Sequence, residues 1–326
     1  MQNKLSIVCG LIAVILALSM TACSKSGGGS GSVGGGGDRS LNSESDFQID
    51  WDKDSSDGVV ITGYTGTRTE VSIPPRIQNN PVTAIAGSAF RDNSTITRVI
   101  IPDGVIRIND DYGNNYSGQV LYPFYNGQGA FSNCESLTSV TIPDSVTFIG
   151  NDAFSGCESL TSITIPNGIT YIGGSTFYFC TSLTSVTIPN SVTIILEGAF
   201  KSCSKLANIT IPNSVTTVGF GAFEDCVSLS SITIPNSVTD IGGEAFQSCG
   251  LTSVTIPASV TTIGGYAFAC DGLVSVTFQG TIASNNLGDN RSRYVFPGDL
   301  REKYLDSGGG PGTYTRFADG REWRKQ

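Results

Sequence analysis

The stretch LTSVTIPDSVTFIGNDAFSGCES, residues 137–159, is followed without a gap by LTSITIPNGITYIGGSTFYFCTS, residues 160–182. Both are copies of one 23-residue unit. Its cysteine recurs at Cys134, Cys157, Cys180, Cys203, Cys226 and Cys249. Its Ile-Pro step recurs at Ile142-Pro143, Ile165-Pro166, Ile188-Pro189, Ile211-Pro212, Ile234-Pro235 and Ile256-Pro257. A fixed period of this size predicts an array in which each unit stacks on copies of itself. Degenerate copies upstream end at Ile73-Pro74 and Ile101-Pro102.

Within the unit, Leu137, Val140 and Ile142 follow the L-x-x-L-x-L spacing of a leucine-rich repeat. Val140 and Ile142 alternate with Ser139 and Thr141, a period of two that predicts a strand. Pro143 has no N–H to donate and should end it. The second half, from Val146 to Cys157, returns the chain, with Val146 and Ile149 facing inwards and Gly150 allowing a bend. Phe90, Phe131, Phe154, Phe177, Phe200, Phe223, Phe246 and Phe268 then form one aromatic column. The repeat cysteines, with Cys270 as a seventh, admit three roles. Buried thiols can pack as small hydrophobes beside the rings. Export would permit disulfides, although seven is odd and a bridge demands strict geometry. Zinc sites favour close pairs such as C-x-x-C, which the 23-residue spacing does not offer.

Bulk properties narrow the chemistry. The 326-residue chain holds no histidine, so serine-histidine and cysteine-histidine catalysis are excluded. No nucleophile sits beside a base and no metal cluster or cofactor motif is present, so the chain reads as a non-enzyme needing no cofactor. Net charge is -9. Residues 285–326 carry eight Lys/Arg against six Asp/Glu, a surplus of two, which leaves -11 on the rest. An acidic body argues against nucleic acid as a partner.

The N-terminus reads MQNKLSIVCGLIAVILALSMTAC. Lys4 supplies a positive start and Leu5 to Leu18 an apolar run, which together predict an export signal over 1–22. The ending MTAC is similar to a bacterial lipoprotein cleavage box, which implies lipid on Cys23; ordinary secretion with a free Cys23 is the alternative. Gly/Ser-rich sequence follows and predicts a flexible tether over 23–46. The array is expected over 47–280, opened by a hairpin cap from FQIDWD and VVITGY. A C-terminal cap over 281–326 should combine a short helix near Pro297 to Leu305 with a hairpin around Ala318-Asp319-Gly320.

Three places could hold a partner. The outward residues of the strands, such as Ser162, Thr164, Ser185 and Thr187, make a long polar strip that either binds or is merely solvated. An insertion near 109–128 interrupts the period and carries Tyr112, Tyr116, Tyr122, Phe124 and Tyr125 among Gly, Asn and Ser. That mixture has the chemistry of an antibody-like binding loop, or else folds its rings onto the array. DWDKDSSDG, with Asp50, Asp52, Asp54 and Asp57, resembles a calcium loop but lacks the glycine and closing glutamate that an EF-hand needs, so a hairpin turn is expected.

The unit LTSVTIPNSVTxIGxxAFxxC resembles the BspA-like, or Treponema-type, leucine-rich repeat over about 47–280, and FPGDLREKYLDSGGGPGTYTR is similar to tails on spirochaete members. The resemblance implies an α/β-solenoid of leucine-rich-repeat type. It would be mostly β with short irregular, 3-10 or helical returns, a parallel sheet on one face and a cap at each end. It also implies a lipid-anchored protein on a bacterial outer membrane or cell surface. The partners implied are host matrix proteins such as fibronectin or fibrinogen, host cells, or other bacteria. A structural envelope or coaggregation role is the second possibility. No catalytic residues carry over.

Overall fold

A computed structural model describes residues 41–110, 129–288, 294–317 and 320–326. The repeats wind into a solenoid whose coils touch along three lines. The first is built by strands at the Ile-Pro steps, Glu70–Ser72, Arg98–Ile100, Ser139–Thr141, Ser162–Thr164, Ser185–Thr187 and Ser253–Ile256, and by Ser275–Phe278 in the coil after them; the steps at Ile211-Pro212 and Ile234-Pro235 have no strand. Their partners are parallel and in register, Ser162 opposite Ser185 and Thr164 opposite Thr187. Equivalent residues of successive units therefore meet, as the constant period requires.

The second line is a parallel sheet in the return halves, additional to the one the sequence pattern pointed to. Tyr171–Ile172, Ile194–Ile195, Thr217–Val218, Asp240–Ile241 and Thr262–Ile263 pair in chain order without a break. Each strand is only two residues long, too short for period two to be visible. The third line is drawn by the turns. The Phe177 N–H donates to Ala199 C=O at 2.8 Å, Phe200 to Ala222 at 2.8 Å and Phe223 to Ala245 at 2.8 Å.

Two residues of each turn from Phe154 to Phe246, and one at Phe131 and at Phe268, adopt left-handed backbone. One register holds Asp152, Ser175, Gly198, Gly221, Glu244 and Tyr266; the other holds Asn133, Gly156, Phe179, Ser202, Asp225 and Ser248, all with φ between 52° and 72°. Asn, Asp, Ser and Gly suit this conformation. Phe179, Glu244 and Tyr266 do not, and each strains the backbone by about 1 kcal/mol.

Inside, the phenylalanines stack in file. Phe131 and Phe154 lie 5.3 Å apart at 2°, Phe154 and Phe177 5.7 Å at 4°, and Phe200 and Phe223 5.3 Å at 5°. The file runs past the repeats at both ends. Tyr64 stacks on Phe90 at 5.4 Å and Phe296 on Phe268 at 5.5 Å. Neither end ring lies on the 23-residue period, so sequence spacing could not reveal them.

The seven repeat cysteines are unbridged and buried beside this file. Each thiol donates to the phenylalanine carbonyl of the coil before it: Cys157 to Phe131 at 3.2 Å, Cys180 to Phe154 at 3.2 Å, Cys203 to Phe177 at 3.1 Å. Of the roles open to them, packing is the one adopted here. Burial pushes the Cys134, Cys226 and Cys270 thiols up to about 12, and Cys157, Cys180, Cys203 and Cys249 well above their usual range.

The ends close the stack. Phe47–Trp51 pairs antiparallel with Val59–Tyr64. Residues 41–46, assigned to the tether on composition, correct that boundary because they pack into this cap. Asn42 exchanges two hydrogen bonds with Ser72, Asn42 N–H to Ser72 C=O at 3.0 Å and Ser72 N–H to the Asn42 side chain at 2.8 Å. They close the exposed edge of Glu70–Ser72, an edge that would otherwise template pairing with another chain. At the far end, helix Leu300–Leu305 covers Phe278 through Tyr304, whose ring centroid lies 4.4 Å away. Gly312–Thr315 pairs antiparallel with Ser275–Phe278 and then with Arg324–Lys325.

Candidate functional site

Three surface features were legible as candidates, and the structure describes two of them, the hydroxyl strip and the acidic loop. The hydroxyl strip lies where the period-two pattern puts it: Ser162, Thr164, Ser185, Thr187, Thr210, Thr233 and Thr255 are exposed. Threonines one place before these strands tie the coils together. Thr184 Oγ1 donates to Thr161 C=O at 3.0 Å, and Thr138 to Thr97 at 2.8 Å. The next coils carry Ala207 and Ser230 instead. There the rung is lost, and among the described residues no hydrogen bond links 207–211 or 230–234 to a neighbouring coil. The strip opens into a groove of about 660 Å³ floored by Ile232 and Val254 and rimmed by Ser231, Thr233, Ser253 and Thr255. It is uncharged and lacks the Trp, Tyr and Arg anchors on which tight interfaces depend.

The acidic loop after Phe47–Trp51 is a turn. Asp52 is buried and points inwards. Arg107 Nη2 lies 2.7 Å from Asp52 Oδ1 and 3.5 Å from Asp54, and Thr83 Oγ1 donates to the other Asp52 oxygen. Burial works against the Asp52 charge. The hydrogen bonds from Thr83, the Asp54 N–H and Arg107 outweigh it and hold the carboxyl below its ordinary 3.8. Asp52 thus fastens the N-terminal cap to the strand Arg107–Asp110, from which the insertion departs. The insertion aromatics Tyr112, Tyr116, Tyr122, Phe124 and Tyr125, and the lipid candidate Cys23, lie outside the described residues.

A further surface has no counterpart in the sequence reading. Along the turns stand exposed rings: Phe179 (42%), Phe220 (43%) and Tyr266 (39%), with Tyr178 beside them. Tyr178, Glu197, Lys201, Phe220 and Glu224 line a cleft of about 490 Å³. Lys201 Nζ lies 2.6 Å from Glu224 Oε2. Burial disfavours the Lys201 charge, yet Glu224 raises its pKa above the usual value. The signal was available in the sequence. Tyr178 replaces Ser132 and Ser155 of earlier coils, and Tyr266 stands where Asp152 and Ser175 stand. A departure from a consensus is inconspicuous when the consensus itself decides the fold.

Among the described residues no group of His, Cys, Asp and Glu could hold a metal, and no helix is long and apolar enough to cross a membrane. The thiols face the core, and the buried Asp52 carboxylate is engaged by Arg107.

Comparison with known proteins agrees with this geometry. The model for the BspA type leucine rich repeat region matches six copies, over 126–249 and 195–290. The crystal structure of a Treponema pallidum leucine-rich repeat protein is similar at 32% identity and a TM-score of 0.57, over 65% of this chain and 90% of that one. A leucine-rich repeat protein from Bacteroides ovatus shares the fold at 23% identity and a TM-score of 0.51, over 80% of this chain and 82% of that one. No curated protein matches the chain. On the repeated coil and these matches together, the chain belongs to the BspA-type leucine-rich repeat family.

Proposed function

We propose that this protein is a non-catalytic adhesin, exported, anchored through lipid on Cys23 and exposed on a bacterial surface. It binds host matrix proteins such as fibronectin or fibrinogen. The observation that carries the reading is the division of labour in the array. Rings and thiols are sequestered in the core, and what remains is a rigid, repeated outer surface of the kind solenoids use for proteins. The apolar leader, the MTAC box and the Gly-rich stretch support display at a membrane through a lipid and a spacer. The insertion near 109–128 is the adhesive loop, because its tyrosines combine rigid contact area with adaptable polar neighbours.

Deletion of 110–127 tests this directly. Binding of the full chain to immobilised fibronectin and fibrinogen should be abolished while the thermal melt is unchanged; retained binding removes the loop from the reading. Replacing Cys23 by Ala should move the protein from the membrane fraction to the soluble one, and protease treatment of intact cells should cleave it from outside.

A further inference from the structure

The groove over the coils that lack a threonine rung is chemically unlike the rest of the surface. Ile163 and Val254 fill the inward position of their strands and are each 4% exposed, but Val186, Ile209 and Ile232 in the coils between them are half-buried. A second hollow of about 250 Å³ lies over Val186 and Ile209 and shares Ser231, Ile232 and Thr233 with the larger one, so the two form one trough. No Asp, Glu, Lys or Arg lines any part of it, on a chain of net charge -9. Among the described residues the hydroxyls of Thr210, Ser231, Thr233, Ser253 and Thr255 have no hydrogen-bond partner. Asn213, Asn236 and Gln279 add side-chain amides at the margin. The trough thus has an aliphatic floor, polar rims and unused hydrogen-bonding capacity.

Those features select the occupant. A charged ligand would give up its hydration here without meeting an opposite charge. A protein partner presents a different side chain at each step, whereas this trough offers a polar pair coil after coil, in register at Ser253 and Ser275 and at Thr255 and Thr277. Paired strands set that step at about 4.8 Å. The two columns of each pair stand two residues apart along the chain, about 7 Å. A matching ligand is therefore a neutral polymer of identical units, narrow enough to lie between the columns. A β-1,4-linked pyranose chain has this form. It is a straight, flat ribbon that advances by one sugar ring per unit, with C–H groups on its faces and hydroxyls along both edges. Its faces suit the Ile209 and Ile232 floor, and its edges suit Ser and Thr hydroxyls, each of which both donates and accepts.

We propose that the trough from Ser185 to Thr277 binds a linear, neutral β-1,4-linked glycan laid along the array, one sugar to a coil. Each contact is weak, and the repeat multiplies it along the polymer. The inference goes beyond the adhesive reading, uses residues other than the insertion and does not depend on it.

Isothermal titration of the full chain with cellohexaose, mannohexaose and chitohexaose, all β-1,4-linked and uncharged, is the test. Saturable binding of at least one is expected. It should be about tenfold weaker in the Ser231→Ala/Thr233→Ala double variant, and unchanged in Ser162→Ala/Thr164→Ala, outside the trough. Melting curves establish that both variants fold. Deuterium exchange on the unaltered chain gives a second readout that needs no variant: amide protons of 230–234 should be slowed at saturation. Four results overturn the proposal. They are no binding of any of the three glycans, full affinity in the folded Ser231→Ala/Thr233→Ala variant, unchanged exchange at 230–234 under saturation, or equal affinity for a mismatched probe. The mismatched probes are maltohexaose, whose α-linked chain coils, hexagalacturonate, which is charged, and an extended Gly-Ser-Thr repeat peptide, which stands for a protein partner.

Discussion

Phe177 is sandwiched between Phe154 at 5.7 Å and Phe200 at 5.3 Å and is fully enclosed. A ring gripped on both faces has no route to collapse when it is cut back, because its neighbours are fixed by their own partners. Phe177→Ala should therefore cost about 3–5 kcal/mol, read as a clear fall in melting temperature; an unchanged melt would contradict the stack. The thiols make a second residue-scale prediction. Their folded pKa values lie above the ordinary 9.0, at about 12 for Cys134, Cys226 and Cys270. The protonated form is the one the fold favours. Its stabilisation is complete below pH 9 and declines as the medium is raised from there towards 12, since only the unfolded chain releases these protons. Denaturation midpoints should fall steeply above pH 9, and no repeat cysteine should react with a thiol reagent at neutral pH until the protein is unfolded. The Phe and Cys registers were legible in the sequence because both obey the period. Phe179 and Tyr266 were not singled out, since a bulky residue at a turn position that other coils fill with Asn, Asp, Ser or Gly is inconspicuous beside the period itself.

At the scale of the element, the joint between cap and array depends on Asp52 and Arg107. Removing the arginine leaves a buried carboxylate without its cation. The pair lies near the surface, so Arg107→Met should cost about 2 kcal/mol. Asp52 is depressed below 3.8, so its contribution is present above that value and is lost as the pH falls through the folded pKa. The melting difference between Arg107→Met and the unaltered chain should be largest near neutrality and should shrink below pH 3.8; a constant difference would show that the arginine acts through packing alone. The four aspartates of DWDKDSSDG are visible in sequence, but Arg107 is 55 residues from Asp52, and only the fold brings them to 2.7 Å. Long-range pairing of this kind is what period and pattern cannot supply.

For the whole molecule, the architecture was readable because a solenoid repeats one local decision. Leu137, Val140 and Ile142 fix a strand, Pro143 ends it, and the coils as far as Pro257 carry the same pattern of residues. The binding surface was less legible for the same reason: recognition resides in departures from the repeat. Ala207 and Ser230 are such departures. They break the threonine rungs on one side of the array, while the return strands Thr217–Val218 and Asp240–Ile241 remain paired on another. The coils are thus stitched along the return strands and the turns and left unlaced along the first line. Amide protons of 207–211 and 230–234 should exchange with deuterium far faster than those of Val218 and Ile241. Under tension along its length the stack would open first at these two coils, like a book on its spine, so that mechanical load is taken up by reversible gaping before any core ring is exposed.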